Sequence, residues 1–317
     1  MRFPTLGIGP RILILGTVTL AILTVLVWGA YTRGVEVLRG SAEEAIRGRT
    51  QALAAELDRS SLEALTAARG LALAVEDGGV ADGDRCRALA RGLLEGRPRF
   101  IGAWIALEGA AGSAPALYAC RRDAIDTGAI DRLPSDALTT QAVLGSMGYE
   151  RVREAATEGG RAAGGTVAKV RRDDGRMVIA HVWPIMSGGR FVGAAAVSCA
   201  LAEWESGLSR VRDRLARAGW SATLSVLGPE GEVIATTSGE DAVRGDSPAW
   251  RNLLEKVRRE SDGLGDSRSR SDDDGLLAGA EIPTPGWTVV AQLAWSAITS
   301  RAQRPDRKST RLNSSHA

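Results

Sequence analysis

The sequence predicts an α+β fold that follows a transmembrane helix and a long amphipathic helix. Three observations predict this class. Residues 12–31 carry no charge, residues 35–75 repeat apolar side chains at helical spacing, and residues 166–201 contain three strand patterns joined by short turns. A smaller set of strand patterns follows, so we expect two tandem α+β modules with antiparallel sheets.

The uncharged run of residues 12–31 has the length that a helix needs to cross a bilayer. Trp28 lies near one end, where aromatic rings favour the membrane interface. A cleaved secretion signal is the alternative, but cleavage after Ala30 would place bulky Trp28 where a small residue is needed. We therefore expect an uncleaved anchor, with residues 1–11 as a cytoplasmic head and the long remainder outside.

Residues 33–76 are predicted to form one long stalk helix directly after the anchor, because apolar side chains recur at helical spacing. Such a helix needs a partner along its length, either a coiled-coil mate or the flank of a globular domain. A break around Arg59 to Ser61 is the alternative. An alanine-rich stripe suits close packing, so we expect a homodimer through this helix; the stripe comprises Ala52, Ala54, Ala55, Ala67 and Ala68.

Residues 77–218 are predicted to form the larger module, distal to the membrane. Short turns at residues 173–175 and 187–189 join its last three strands as antiparallel hairpins. Residues 123–148 show no firm period and are expected to form a loop. The predicted elements are helix 85–94, strands 100–107 and 116–121, helix 150–156, strands 166–172, 176–186 and 191–201, and helix 202–218.

Residues 219–298 are predicted to form the smaller module, proximal to the membrane. Residues 261–275 mix charges without apolar anchors and are expected to form a solvated loop. The aspartates at 272–274 lack the spaced oxygen ligands of a calcium loop, so no metal site is expected there. The predicted elements are strands 222–227 and 232–237, helix 248–260, and strands 276–282 and 287–293.

Residues 174–204 carry the most specific motifs of the sequence. Asp-Gly-Arg-Met-Val-Ile-Ala, Trp-Pro-Ile, Phe-Val-Gly and Leu-Ala-Glu-Trp follow one another in a strand-strand-strand-helix order, and a Gly-Pro-Glu-Gly turn and Trp287 come later. In these motifs and in the order of its parts, the chain resembles the double Cache extracytoplasmic sensor domains of bacterial chemoreceptors and sensor kinases. The resemblance covers residues 35–298. It implies two PAS-like (Cache) modules, with a small-molecule ligand in the larger one.

The resemblance also bears on the ligand. In family members that bind amino acids, an Arg-x-Trp-Tyr-like motif opens the helix at residues 150–156, and an acidic residue in the last strand holds the ligand's amino group. Here Val152 stands at the tryptophan position, Arg153 at the tyrosine position and Ser198 at the acidic position. These departures count against an amino-acid ligand, whereas the arginines favour a carboxylate or phosphate group.

The candidate ligand-binding residues follow from the resemblance and from side-chain chemistry. The alternative is that His181 is a hydrogen-bonded residue of the sheet, and that Tyr118, Trp183 and Trp104 belong to the core. The candidates are Tyr118, Arg121, Arg151, Arg153, His181, Trp183 and Ser198.

Composition and motifs exclude several classes of function. The formal net charge is only +2 and the basic residues are scattered, which argues against a nucleic-acid partner. The three cysteines lie far apart without a Cys-x-x-Cys pair, so no cysteine zinc site is expected. The sequence lacks a P-loop, a Gly-x-Ser-x-Gly elbow and a His-Glu-x-x-His pair, and we expect neither an enzyme nor a cofactor.

Residues 299–317 are polar and unpatterned, and no second apolar run precedes them. They resemble a terminal tail that recurs in unrelated environmental sequences, so we expect a disordered, artefactual end in place of a second transmembrane helix and an output domain. The chain is thus expected to be the ligand-sensing part of a bacterial inner-membrane signalling receptor. The alternative is a single-span anchored protein-interaction domain without a small-molecule ligand.

Overall fold

The computed structural model describes several separate segments of the chain. They are residues 8–77, 83–108, 116–121, 148–159, 164–171, 176–238, 255, 268–272 and 275–294. Side chains are described for the same residues except 8–14, 120, 121, 159, 171, 268–272 and 275.

A single helix, α1 (Ile8–Asp77), runs through both the predicted anchor and the predicted stalk. It is continuous through residues 59–61, so the long stalk helix is confirmed and the alternative of a break there is wrong. The N-terminal part of α1 is long and apolar enough to cross a membrane. Its most apolar segment has a mean hydropathy of 1.7 and no buried residue, as a lipid-facing helix requires.

In the described part of the chain the larger sheet contains five strands, and each predicted strand is confirmed to within one residue. They are β1 (Phe100–Leu107), β2 (Ala116–Arg121), β3 (Thr166–Arg171), β4 (Met177–Ser187) and β5 (Arg190–Ala200). All pairs are antiparallel, in the order β2-β1-β5-β4-β3. Gly188 and Gly189 connect β4 to β5 with φ angles of +57° and +82°, which a tight hairpin turn needs and glycine adopts without strain.

Helices cover both faces of the larger sheet, and the helices predicted at 85–94 and 150–156 are confirmed. On one face lie α2 (Gly83–Gly96) and the C-terminal part of α1. On the other lies α3 (Tyr149–Gly159). Because both faces are covered, the strands are apolar on both sides rather than alternating with polar residues.

Within the ranges given above, the smaller sheet also contains five antiparallel strands, in the order β7-β6-β10-β9-β8. They are β6 (Ala222–Leu227), β7 (Val233–Thr236), β8 (Arg268–Asp272), β9 (Gly275–Ile282) and β10 (Trp287–Ala294). The prediction of a solvated loop at residues 261–275 is wrong for β8, which pairs with β9. As an edge strand, β8 needs main-chain partners on one side only, so an Arg/Ser sequence is tolerated there.

Helix α4 (Leu201–Arg217) packs chiefly against the smaller sheet, although the sequence predicts it as the last helix of the larger module. The rings of Trp204 on α4 and Trp287 on β10 meet edge to face, with centroids 5.5 Å apart. Val167 and Ile179 of the larger sheet belong to the same apolar core. The two modules are therefore packed together through α4 and α1.

The stalk helix packs against the flank of the chain's own two modules. Ala54, Ala67 and Ala68 of the predicted stripe are buried against them, whereas Ala52 and Ala55 are exposed. The globular-flank alternative is therefore confirmed. The homodimer stays a prediction.

Several predictions lie outside the described residues. These are residues 1–7 of the predicted head at 1–11, most of the loop at 123–148, the helix at 248–260 apart from residue 255, and the tail at 299–317. The limits assigned to the two modules stay predictions.

Candidate functional site

The larger sheet presents two different faces, and β4 shows how its side chains are divided between them. Ile185 joins the core beneath α1 and α2, whereas Val178, Ala180 and Val182 join the core beneath α3. Successive side chains of a strand point to opposite faces, so His181 lies on the same face as Ile185. We call the face beneath α1 and α2 the stalk face, and the other the α3 face.

His181 is buried on the stalk face, with 1% of its surface exposed. Neither ring nitrogen has a hydrogen-bond partner among the described residues. Burial lowers the pKa of His181 to about 4, and the nearby main chain of Val197 and Ile179 only partly opposes this shift. The ring is therefore neutral at physiological pH and offers no charge to a ligand.

Trp183 and Tyr118 are half-buried on the stalk face and pack against its core. The guanidinium of Arg69 lies over the Trp183 ring, 5.3 Å from its centroid, and that of Arg87 lies 5.6 Å from the Tyr118 centroid. A side chain at Gly83 would collide with the Tyr118 ring. Both rings thus serve the packing of α1 and α2 on the sheet.

A polar network joins β1 to α3 on the α3 face. Tyr149, the first residue of α3, is buried, and its Oη donates a hydrogen bond to Glu108 Oε1 at 2.9 Å. One helical turn later, Arg153 Nε lies 3.4 Å from the same oxygen and Nη1 lies 3.5 Å from Glu150. Burial and the bond to Glu108 raise the pKa of Tyr149, so the phenol stays protonated and remains a donor.

Trp104 and Ser198 lie on adjacent strands of the α3 face. Trp104 Nε1 is buried and has no hydrogen-bond partner among the described residues. Ser198 is also buried, and it lies opposite Gly102 in the β1–β5 register. An indole N–H can only donate, so this buried donor requires an acceptor. The surrounding floor is made of small side chains, namely Ala106, Ala180, Ala194 and Ala196.

These residues define one candidate binding site, which we call the α3 site. It comprises Trp104, Glu108, Tyr149, Arg153 and Ser198. On this face the indole N–H of Trp104 and the hydroxyl of Ser198 lie near one end of β1 and β5, the engaged carboxylate of Glu108 follows the other end of β1, and small side chains lie between them. Such an arrangement can bind a small molecule that presents hydrogen-bond acceptors.

The structure does not bring the seven predicted site residues to one place. Some of them lie on the stalk face and others on the α3 face. The larger sheet separates these two faces, so no single pocket can include residues from both. Arg151 is exposed on α3, and Arg121 ends β2 with its side chain outside the described residues. Of the others, Arg153 and Ser198 lie in the α3 site, and Tyr118, His181 and Trp183 lie on the stalk face. A ligand-binding role for any of them stays a prediction.

No protein-family model matches the sequence, and no curated protein matches it significantly. Solved structures match the fold. An extracellular domain described as that of a histidine kinase, mmHK1S-Z3, aligns with a TM-score of 0.56 and 17% identity over 86% of this chain and 97% of that one. Methyl-accepting chemotaxis protein X aligns with a TM-score of 0.55 and 17% identity, over 80% and 97% of the two chains. The ligand-binding domain of the Pseudomonas aeruginosa amino acid chemoreceptor PctC, in complex with GABA, aligns with a TM-score of 0.53 and 14% identity, over 79% and 99%.

The chain has the double Cache fold. This confirms the predicted fold class and the resemblance found in the sequence. The identities of 17% or less to these structures establish the fold alone.

Within this double Cache fold, sequence reasoning missed three members of the α3 site. For Trp104 the sequence favours a core position over a ligand cage, so it is absent from the predicted site residues. Glu108 and Tyr149 lie next to a predicted strand and a predicted helix, and neither belongs to a recognisable motif. They are 41 residues apart in sequence, so only the tertiary structure shows that they form a pair.

Proposed function

We propose that this chain is the extracytoplasmic, ligand-sensing part of a bacterial transmembrane receptor, and that its α3 site binds a small polar molecule. The proposal depends on the buried indole N–H of Trp104, which has no acceptor among the residues that the structure describes. A buried donor without an acceptor costs about 1–3 kcal/mol, and a bound acceptor would remove that cost. The double Cache fold of chemoreceptor and kinase sensor domains adds support, as one such domain holds GABA.

The chemistry of the α3 site favours a ligand that carries a carboxylate or carbonyl group. Trp104 supplies a donor, and the Ser198 hydroxyl can supply another. The Glu108 carboxylate is already engaged by Tyr149 and Arg153. The described part of the site therefore offers donors more readily than a free carboxylate for an ammonium group.

The continuous helix α1 supplies a route for the signal. It runs from the apolar segment to the far end of the larger module without interruption. A ligand can move this helix only if it binds one arrangement of the larger module more tightly than another. We assign the apolar segment to the inner membrane and the modules to the extracytoplasmic side.

Thermal unfolding of the full chain in detergent tests the proposal. We expect stabilisation by at least one compound from a set of small carboxylic acids, amino acids and phosphates. Trp104→Phe removes the indole N–H and should abolish that stabilisation. The matched variant Trp220→Phe, which alters a buried tryptophan outside the α3 site, should retain it. No stabilisation by any compound would favour the anchored protein-interaction domain instead.

A further inference from the structure

A groove of about 460 Å³ lies where the two modules meet. One wall consists of the start of α3 and strand β3, and the other consists of the β6–β7 turn, strand β7 and the β9–β10 turn. This volume is within the range of small-molecule sites. The groove shares no lining residue with the α3 site.

The groove is bordered by one edge of each sheet, and neither edge is paired with another strand among the described residues. Strand β3 is the last strand of the larger sheet, and β7 is the last strand of the smaller one. Edge strands leave main-chain N–H and C=O groups without a neighbouring strand. Lys169 Nζ on β3 donates to the carbonyl oxygen of Val233 on β7 at 3.0 Å, so the two edges are tied together.

Four charged side chains line the groove, and three of them have partners. Glu232 Oε2 accepts a hydrogen bond from the main-chain N–H of Glu230 at 3.0 Å, Glu150 pairs with Arg153, and Lys169 is bound to Val233. Arg151 is the fourth. It is exposed and makes no ion pair with any residue that the structure describes. Its guanidinium is therefore a cationic group without a described ion pair, and the ammonium of Lys169, whose described acceptor is a neutral carbonyl, adds a second positive charge to the lining.

The rest of the lining is largely apolar. Pro229 and Pro285 lie in the two turns of the smaller module, and Ile234 on β7 and Trp287 on β10 also line the groove. We propose that the groove is a second binding site, for a small carboxylic acid with an apolar body. The carboxylate binds the guanidinium of Arg151, which matches it with two parallel donors. The apolar body packs against the two prolines.

Titration calorimetry of the full chain in detergent with sodium phenylacetate tests this proposal. We expect saturable binding that Arg151→Gln weakens about tenfold, because the substitution removes a charge-assisted hydrogen-bond pair. Arg190→Gln removes an exposed arginine of β5 away from the groove and should change the affinity less than twofold. Phenylacetamide, which has the same shape without the charge, should bind about tenfold more weakly.

The outcomes separate this site from the α3 site. Phenylacetate binding that survives Trp104→Phe but is weakened by Arg151→Gln supports the groove, even if the α3 site binds nothing. Binding that Trp104→Phe abolishes and Arg151→Gln leaves intact places phenylacetate elsewhere and overturns the inference. An absence of saturable binding by the wild-type chain also overturns it.

Discussion

Asp58 on α1 accepts a hydrogen bond from the main-chain N–H of Thr284, which lies 226 residues further along the chain. Asp58 Oδ1 and the main-chain nitrogen of Thr284 are 2.8 Å apart, and Thr284 belongs to the turn between β9 and β10. A second carboxylate of α1, Glu76, accepts the N–H of Met186 at 2.7 Å, close to the β4–β5 turn. The stalk is thus fastened to one hairpin in each module.

Replacing Asp58 by alanine should release the Thr284 amide. We expect hydrogen exchange at that amide to accelerate about tenfold, with a loss of about 1–2 kcal/mol in unfolding free energy, because the charged acceptor is removed. Asp58→Asn keeps an acceptor oxygen and should keep most of the protection. As a matched control, Glu76→Ala should accelerate exchange at Met186 and leave Thr284 protected. Equal exchange of Thr284 in the wild type and Asp58→Ala would contradict the contact.

Tyr149→Phe should destabilise the chain by about 1 kcal/mol, because Glu108 loses a hydrogen-bond donor while its ion pair with Arg153 remains. Urea unfolding of Tyr149→Phe, Glu108→Gln and the double variant measures the coupling between the two side chains. We expect the double variant to lose less than the sum of the single losses. Strictly additive losses would show that the two groups do not interact.

The buried His181 should make stability depend on pH. Its pKa is about 4 in the folded chain and 6.5 in the unfolded chain, so the unfolded state binds the proton more readily. The stabilisation from the neutral ring is present above pH 6.5 and is lost as the pH falls towards 4. The difference between the two pKa values corresponds to a maximum loss of about 3 kcal/mol in unfolding free energy.

Urea unfolding between pH 7.5 and pH 5 measures this effect. His181→Gln should reduce the loss of unfolding free energy in that interval. His316→Gln, which changes the other histidine of the sequence, should leave the loss as in the wild type. If both variants lost stability as the wild type does, another group would be responsible.

The sequence predicted most strands to within a residue because β-branched runs ended at glycine-rich turns, as at Gly188 and Gly189. The sequence pattern did not reveal β8, because an edge strand with one edge open to solvent needs no apolar pattern. It also placed His181 and Ser198 in one site, although they lie on opposite faces of the larger sheet. Where both faces are buried, apolar residues occupy both, and the pattern does not show which helix covers which face.

Leu23→Arg should weaken membrane insertion, because an arginine at the centre of a spanning helix costs about 3 kcal/mol. Leu23 is exposed in the apolar segment of α1. Alkaline extraction of membranes that contain the full chain measures retention, and we expect a clear loss for this variant. Val37→Arg, beyond the uncharged run, should be retained like the wild type. Equal retention of both variants would count against the anchor.

Gly193→Ala should destabilise the larger sheet strongly. Gly193 lies on β5 opposite Leu107, and a Cβ there would collide with the carbonyl oxygen of Ala106. Because that oxygen belongs to the main chain of β1, the strand would have to shift, at a cost of about 1–3 kcal/mol. Gly92 in α2 has open space around it, so Gly92→Ala should instead stabilise the chain by about 0.5–1 kcal/mol. Urea unfolding compares the two variants, and a Gly193→Ala chain as stable as the wild type would refute the close approach of β1 and β5.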